Sequence, residues 1–596
     1  MADSPQSPVD EGNLAAPPSF DLTIGKRGWA RLSLFLGITI FVFYGSLLAT
    51  SGLGLAFKIP VAPAFLAGAL ALTGLYVARS ELGRGPAERL AVALVFLLIQ
   101  AVSVRVAMDR FDLSFDGRWY HKEAIARISL GWNPYRGAPL ENLSMGPNGL
   151  AGESWHEKLG EKQINGFPKG AWLAGAAYAL MFDSLEAAKA ASTLLLFAGL
   201  FTALGTAGAA FARLGIRHVL AALLLAFNVT AVSQVGTTMV DGQMASLLLG
   251  VLGFGALILG GGASPSIFLG FGVAFGSLML VKFTGVAFSG VLLVGGIALG
   301  YAYGRRQEAT RLGLAGAGAL AVSFLTAGWH PYLTNTLKYD WPFYPLSRYA
   351  PNGVTPDASS MDWSLPTDFQ GRGNLEKLAR SIVARSEIQR ARQPSSPKLP
   401  WQIFDSEAEC FAINGGCHVG GWGPLFALSL VLVLTGAFLE AHASGIRRPS
   451  GTVAGLGLIV LSVLIIPESF VARYVPQSSF IPILAWLLLA EAKSRRVRFV
   501  SHLLALTLLL NTGFVLRASQ GEHRKALNWF SGQIWRMNNA QKTSGEPLLI
   551  NFGNFRSLRF LLDERAIAFR EVPRRLEECQ PVEHLYEVVW CAQKKP

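Results

Sequence analysis

Apolar runs recur along this chain from residue 29 to residue 517, and their length constrains the fold more than any other feature. The hydrocarbon core of a bilayer takes about 20 apolar residues per helix. Runs of that kind cover 29–50, 60–78, 87–107, 188–211, 217–235, 243–260, 266–281, 284–303, 312–329, 422–440, 452–468, 475–491 and 499–517. Lipid offers the backbone no hydrogen-bonding partner, so such runs can only be helices. The fold class expected is an α-helical polytopic membrane protein with about thirteen transmembrane helices. A composition of 51% hydrophobic and 15% charged residues lies outside the soluble globular range and agrees. The formal net charge of +13 comes from short Lys and Arg clusters between the runs. Clusters so placed set topology and present no face to nucleic acid, which is excluded as a partner; membrane lipids are the expected surroundings.

The tail before the first run is polar and Pro-containing and has no evident small-residue cleavage site, so residues 1–28 are expected to be a cytoplasmic tail leading into an uncleaved anchor. Lys26, Arg27 and Arg31 precede the first run, and Arg79, Arg84 and Arg89 lie between the second and third. Arg213 with Arg217, Arg305 with Arg306 and Arg311, Arg447 with Arg448, and Lys493 with Arg495, Arg496 and Arg498 all fall on the same side if each run crosses once. That side is read as the cytoplasm. Ala171 to Phe182 is too short to span, and a crossing there would reverse every later cluster, so it is expected to lie on or re-enter the outer face. The protein is then a multi-pass protein of the inner (plasma) membrane. Its transmembrane domain, 29–517, carries a first outer loop, 108–170, and a second, 330–421, and its tail, 518–596, is extracytoplasmic.

All four cysteines lie in these outer segments. Disulfides Cys410 to Cys417 and Cys579 to Cys591 are the simplest pairing in an oxidising space, with four free thiols as the alternative. In the second loop, Asn374 to Arg392 places Leu375, Leu378, Ile382 and Val383 on one face, as an interfacial amphipathic helix would, or a helix packed on another loop. From about residue 545, extended runs (Pro547 to Ile550, Ala566 to Phe569, Leu585 to Trp590) alternate with helical stretches (Asn554 to Glu564, Pro573 to Glu578), which predicts a small α/β domain.

Charges at a membrane edge are costly and need a function or contact with water. Asp116 lies just past the third run beside Arg118, Tyr120, His121 and Glu123. A carboxylate there can take the proton of an acceptor hydroxyl, or simply cap a helix as a solvated loop acid. Asp241, Lys282, and Arg473 with Tyr474 each stand at the outer end of a run. Two acids and two strong bases thus converge on one rim. The bases suit a phosphate or pyrophosphate, and each residue alone is also explained by snorkelling or capping.

In this order the segments resemble the GT-C superfamily of integral membrane glycosyltransferases, which use polyprenyl-phosphate sugars and include aminoarabinose transferases and protein O-mannosyltransferases. The likeness covers roughly residues 87–490, with the first two helices and the tail as additions. Asp116-Gly117-Arg118-Trp119-Tyr120 is similar to the D-E-x-x-Y of the first outer loop, with Gly117 in place of the second acid. Gly131-Trp132-Asn133-Pro134-Tyr135 is similar to G-x-N-P-Y, and Phe167-Pro168-Lys169 to the segment K-P-P-L, with one Pro only. Asp241 resembles the second acid, Lys282 a K-G-like position, Arg473-Tyr474 the R-Y before a Pro, and Asn335 with Pro342-Phe343-Tyr344-Pro345 the opening of the second outer loop.

The resemblance implies a GT-C-like fold and an inverting transfer from a polyprenyl-phosphate sugar donor to a glycan, lipid or protein acceptor at the extracytoplasmic (periplasmic) face. Asp116 would be the general base. Lys169, Lys282 or Arg473 would hold the donor phosphate, with Arg118, Tyr120, His121 and Tyr474 lining the site. Asp241 would position the acceptor, support Asp116 or bind a divalent cation. A lipid-linked saccharide transporter or flippase, and an O-antigen ligase or polymerase, remain the alternatives.

Overall fold

The computed structural model describes residues 28–140, 155–211, 214–262, 264–346, 366–388, 393–412, 417–444, 451–572, 579–581 and 588–592. The chain opens with α1 (Gly28–Ala56), α2 (Pro63–Arg79) and α3 (Pro86–Met108). A loop bearing α4 (Lys122–Ser129) and α5 (Trp155–Gly166) leads to α6 (Gly170–Phe182). There follow α7 (Ala190–Ala210), α8 (Ile216–Ala226), α9 (Val229–Gln234), α10 (Asp241–Leu259), α11 (Pro265–Val281) and α12 (Phe283–Ala302). Next come α13 (Arg306–Ser323) and α14 (Trp329–Tyr339), joined by a widely wound turn. A second loop holds α15 (Asn374–Ile382) and α16 (Glu407–Ala412) before α17 (Phe426–Ser444), α18 (Gly451–Leu464), α19 (Phe480–Ala490) and α20 (Arg495–Ser544).

Every one of the thirteen apolar runs contains helix, and among the described residues eight helical stretches are long and apolar enough to cross a membrane, as a multi-pass membrane protein requires. The other five runs form shorter apolar helices. The run 217–235 is divided at Asn228, whose side chain caps α9 by accepting from the Ala231 amide at 3.1 Å. The run 475–491 becomes an α-helix only at Phe480, after a tight turn at Pro476–Ser479.

The first helix, α1, is buried along most of its length against α7, α11, α2 and α6. Its aromatic side chains Phe35, Phe41, Phe43 and Tyr44, spread around the helix, are all buried and supply bulk to the core. Tyr44 also donates to Gln243 at 3.0 Å, and Gln243 to Ser192 at 3.1 Å, a polar tie across α1, α10 and α7. The short helix α6 is lodged inward among α1, α2, α4 and α11, with Trp172 and Tyr178 fully buried.

Described members of the basic clusters make contacts at the starts of α1 and α8; Lys26, Arg27, Arg213, Arg447 and Arg448 lie outside the described residues. Arg31 pairs with Glu88, tying the start of α1 to that of α3; the Ser266 amide at the start of α11 bonds Glu81 in the loop before α3; and Arg217 at the start of α8 pairs with Glu491 at the end of α19. The loops carrying Asp116, Asp241, Lys282 and Arg473 lie at the opposite end of the bundle.

The boundary expected at residue 518 falls inside α20, which runs unbroken to Ser544. Phe530, Ile534 and Met537, at helical spacing, are buried and prolong the helix beyond its apolar part. Beyond it, β1 (Leu548–Asn551), α21 (Leu558–Glu564), β2 (Phe569–Glu571), β3 (Gln580–Pro581) and β4 (Val589–Cys591) form a four-stranded sheet in the order β2-β1-β4-β3. The pair β1 and β2 is parallel, connected through α21; the others are antiparallel. All three expected extended runs contribute a strand, β3 is a further one, and Pro573 to Glu578 lies outside the described residues. Both disulfides, Cys410 to Cys417 and Cys579 to Cys591, are formed.

Candidate active site

Asp116 opens a five-residue turn, Gly117–His121, wound more widely than an α-helix, a geometry that concentrates at functional sites. No capping bond is made by the Asp116 side chain. Instead its Oδ2 accepts from Arg473 Nη1 at 2.7 Å. The same nitrogen lies 3.7 Å from Asp241 Oδ2. Asp241 is further paired through Oδ1 with Lys282 Nζ, and its Oδ2 accepts from Gln234 Nε2 at 3.0 Å. Beneath both cations lies Tyr474, its ring centre 4.1 Å from Lys282 Nζ and 5.0 Å from the Arg473 guanidinium carbon. The residues that sequence places at separate helix ends thus form one chain of charge: Asp116, Arg473, Asp241, Lys282.

Local chain geometry explains how they meet. Lys282 is a single extended residue between α11 and α12, and from this reversal its side chain reaches Asp241 at the start of α10. Such a tight reversal brings the first turn of α12 onto Leu278 O, where any Cβ at Gly285 would overlap it. Asp241 is the first residue of α10, and the segment before it is fixed by Asp112. The buried Asp112 carboxylate accepts from the Thr238 amide at 2.7 Å and hydroxyl at 2.6 Å, and from the Ser114 amide and hydroxyl at 2.9 and 2.6 Å. Thr238 therefore binds the loop of Asp116 to the start of α10.

Asp112 also accounts for Gly117. A Cβ at position 117 would overlap Ser114 Oγ and a carboxylate oxygen of Asp112, and would lie 2.8 Å from its Cγ. The second acid of the D-E-x-x-Y pattern has no room here. Gly117→Ala should lower stability by about 1–3 kcal/mol, the usual cost of overpacking, read as a lower thermal unfolding midpoint in detergent.

The members differ in access: side-chain exposure is 3% for Asp241, 10% for Arg473, 18% for Asp116 and 24% for Lys282. Oδ1 of Asp116 accepts no hydrogen bond among the described residues, and Arg473 Nε is buried without a partner. Burial pushes the Asp116 carboxyl up, but the adjoining Arg473 guanidinium outweighs it and holds the group below the usual carboxylate range. His121 is pushed down to about 4 by burial, and its Nδ1 accepts from Trp172 Nε1 at 2.7 Å, an orienting contact. Burial, reinforced by the Asp116 charge, raises the Tyr120 hydroxyl well above its usual value, so it stays neutral.

His418 was not anticipated. It follows Cys417 of the first disulfide, and its Nδ1 is buried without a partner. Its segment packs on the residue before Arg473, a Cβ at Gly421 falling 3.1 Å from Ala472 Cβ. Burial first, then the Arg473 charge, pushes His418 down to about 4. Neither histidine therefore titrates near neutrality. A reaction run by this site should show a rate that is flat from about pH 5 to 8, with the acid limb due to Asp116 lying below the usual carboxyl value near 3.9. A rate inflection near pH 6.5 would contradict this.

Two expected members lie elsewhere. Lys169 is 2% exposed, and its ammonium donates to the carbonyls of Asn165 and Phe167 and lies 5.0 Å from the Trp172 ring centre. Its role is to close the turn before α6, and it is not placed to hold a phosphate. Arg118 is buried against the C-terminal domain, 5.1 Å from the Phe555 ring centre, with Nε donating to Ser114 O at 3.2 Å. Ser557 in turn donates to Arg118 O at 2.7 Å. Two other motifs also serve the scaffold. Asn133 donates to Leu55 O at 2.7 Å and accepts from the Tyr135 amide at 2.9 Å, while Asn335 Nδ2 donates to Gly166 O and Tyr344 O, both at 3.0 Å.

Among the described residues, no three His, Cys, Asp or Glu side chains come together as a metal ligand set. Between the two acids stands a guanidinium, where a bridging cation would have to sit. Scans against protein-family models, curated proteins and solved structures found no significant match to this chain.

Proposed function

We propose that the protein is a membrane glycosyltransferase of GT-C type, transferring a sugar from a polyprenyl-phosphate donor to an extracytoplasmic acceptor with inversion. The observation that carries this reading is the ionised Asp116, with one oxygen held by Arg473 and the other open, on the same ion network as the more accessible Lys282. The acceptor hydroxyl gives its proton to Asp116 Oδ1 as its oxygen bonds the anomeric carbon. The bond from that carbon to the phosphate oxygen breaks, and the electron pair leaves with the polyprenyl phosphate. Lys282 stabilises the charge that develops there, an electrostatic contribution made without rearrangement. Arg473 keeps Asp116 ionised and in place, and Asp241 orients both cations.

A groove of about 620 Å³ between α1, α11 and α13, lined by Leu48, Val273, Ser277, Leu280 and Thr326, is the candidate for the donor's lipid tail. It ends at Leu280, two residues before Lys282. In a cell of the source organism lacking this chain, one sugar substituent of the envelope should disappear and its polyprenyl-phosphate form accumulate, as read by mass spectrometry of lipid and glycan fractions. Unchanged glycans and unchanged lipid-linked sugars would remove the proposal.

A further inference from the structure

The second large loop carries an apolar patch that the proposed chemistry does not use. Val383, Leu399, Trp401 and Ile403 are all exposed, Trp401 by 63%. They belong to one rigid turn system: the Lys398 amide donates to Val383 O at 2.9 Å, the Arg385 amide to Ser396 O at 2.7 Å, and the Leu399 amide to Gln402 Oε1 at 2.9 Å. Leu375 extends the apolar surface along α15, which is shorter than expected and ends at Ile382, with Leu378 and Ile382 packed inward. Arg392 lies outside the described residues.

The height of this patch follows from its contacts. Lys398 Nζ donates to Pro424 O at 2.9 Å, two residues before α17 begins. The neighbouring Leu425 amide donates to Asn511 Oδ1 at 2.8 Å, and Asn511 Nδ2 to Trp422 O at 2.9 Å. Asn511 lies within the apolar part of α20, short of Arg517, its next charged residue. The patch is therefore tied to the point where α17 enters the membrane, and α17 presents Leu434 and Phe438, each at least 70% exposed, to the lipid side. Around the patch the charge is balanced: Arg372, Lys377, Arg380, Arg385 and Lys398 stand with Asp368, Glu376, Glu387, Asp405, Glu407 and Glu409, and Lys398 is buried in a pair with Glu407. The Arg385 guanidinium lies flat on Phe404, its carbon 3.8 Å from the ring centre, as a snorkelling cation does. A tryptophan with aliphatic and basic neighbours at that level matches the headgroup region.

We propose that Val383, Leu399, Trp401 and Ile403 form a foot that inserts into the headgroup region of the leaflet on the ion-network side. The foot is wired to the candidate site. Ser381, fully buried at the end of α15, donates to Phe470 O at 2.6 Å and accepts from the Gly420 amide at 3.0 Å. Those two contacts lead to Arg473, three residues after Phe470, on one side and to His418, two residues before Gly420, on the other. This inference needs only that the chain spans a membrane and stands or falls apart from the glycosyl-transfer reading.

No free thiol is present among the described cysteines, so an introduced cysteine is uniquely labelled. Spin labels at Trp401→Cys and, separately, Leu399→Cys, in the full chain in nanodiscs containing anionic lipid, would be compared with Leu434→Cys as a lipid reference and Lys542→Cys as a water reference. The foot predicts an oxygen-to-nickel accessibility ratio several-fold above that at position 542 and below that at 434. A ratio equal to that at 542 would overturn it. Protection from both reagents would overturn it too, because protein, such as a second copy, would then cover the patch.

Discussion

Asp116→Asn should reduce sugar transfer by about 10²–10⁴-fold, the contribution of a positioned general base, while the protein keeps its thermal midpoint within a few degrees. The amide preserves shape and still accepts from Arg473 through its oxygen, but it cannot take a proton. The binding surface is untouched, so the loss should fall on kcat with KM for the donor nearly constant. Asp241→Asn is expected to behave differently. Its carboxylate is 3% exposed and faces Lys282, Arg473 and Gln234 together, so neutralising it releases both cations and should weaken donor binding and folding as well. Equal kcat effects from the two substitutions would mean that the roles of base and organiser are wrongly divided. Turnover assays on the detergent-purified variants, with thermal unfolding in parallel, make that distinction.

Arg473→Ala should cost more stability than any other single change in the network, about 3–5 kcal/mol, because it leaves Asp116 and Asp241 facing each other without the cation between them. Activity should be lost with it. Arg473→Lys retains the charge but offers no planar fork, and should recover only part of the stability. The double variant Asp116→Asn/Arg473→Ala should be more stable than Arg473→Ala alone, since one uncompensated acid has gone. The depressed pKa of Asp116 fixes the sign of the pH dependence: its contribution is complete above the unfolded carboxyl value near 3.9 and is lost only as the pH falls through the lower folded value. Asp116 itself should therefore cost no stability until the pH nears 4, whereas the buried, neutral His121 and His418 should make wild-type stability fall as the pH drops below the unfolded histidine value near 6.5, a decline that Asp116→Asn should leave unchanged.

What could be read from the residues was what depends on position along the chain. Apolar length locates the helices, and the alternation of basic clusters places Asp116, Asp241, Lys282 and Arg473 at one end of the bundle, where the structure joins them. Side-chain direction is not encoded in that pattern. Lys169 and Lys282 both stand at helix junctions, yet Lys169 turns in to the carbonyls of its own loop while Lys282 turns out to Asp241. The wide turn at Gly117–His121 rotates Arg118 away from Asp116 and onto Phe555, a contact between residues more than four hundred positions apart. His418 and Gln234 were passed over for the same reason, although Cys417 and the polar stretch ending at Asp241 flank them and were visible. The extension of α20 past residue 518 was legible in the spacing of Phe530, Ile534 and Met537, but the rise in polarity there resembled a domain boundary.

The foot on the second loop and the ion network at the bundle end make separate claims, and only the second concerns chemistry. Its most direct test is to incubate the purified chain in nanodiscs with a polyprenyl-phosphate sugar and a crude envelope acceptor, and to follow the donor by mass spectrometry. The account predicts release of polyprenyl phosphate in proportion to sugar gained by the acceptor, with inverted anomeric configuration, and none with Asp116→Asn. Intact donor that merely equilibrates between the two leaflets, at the same rate in wild type and Asp116→Asn, would contradict it and identify a lipid transporter instead.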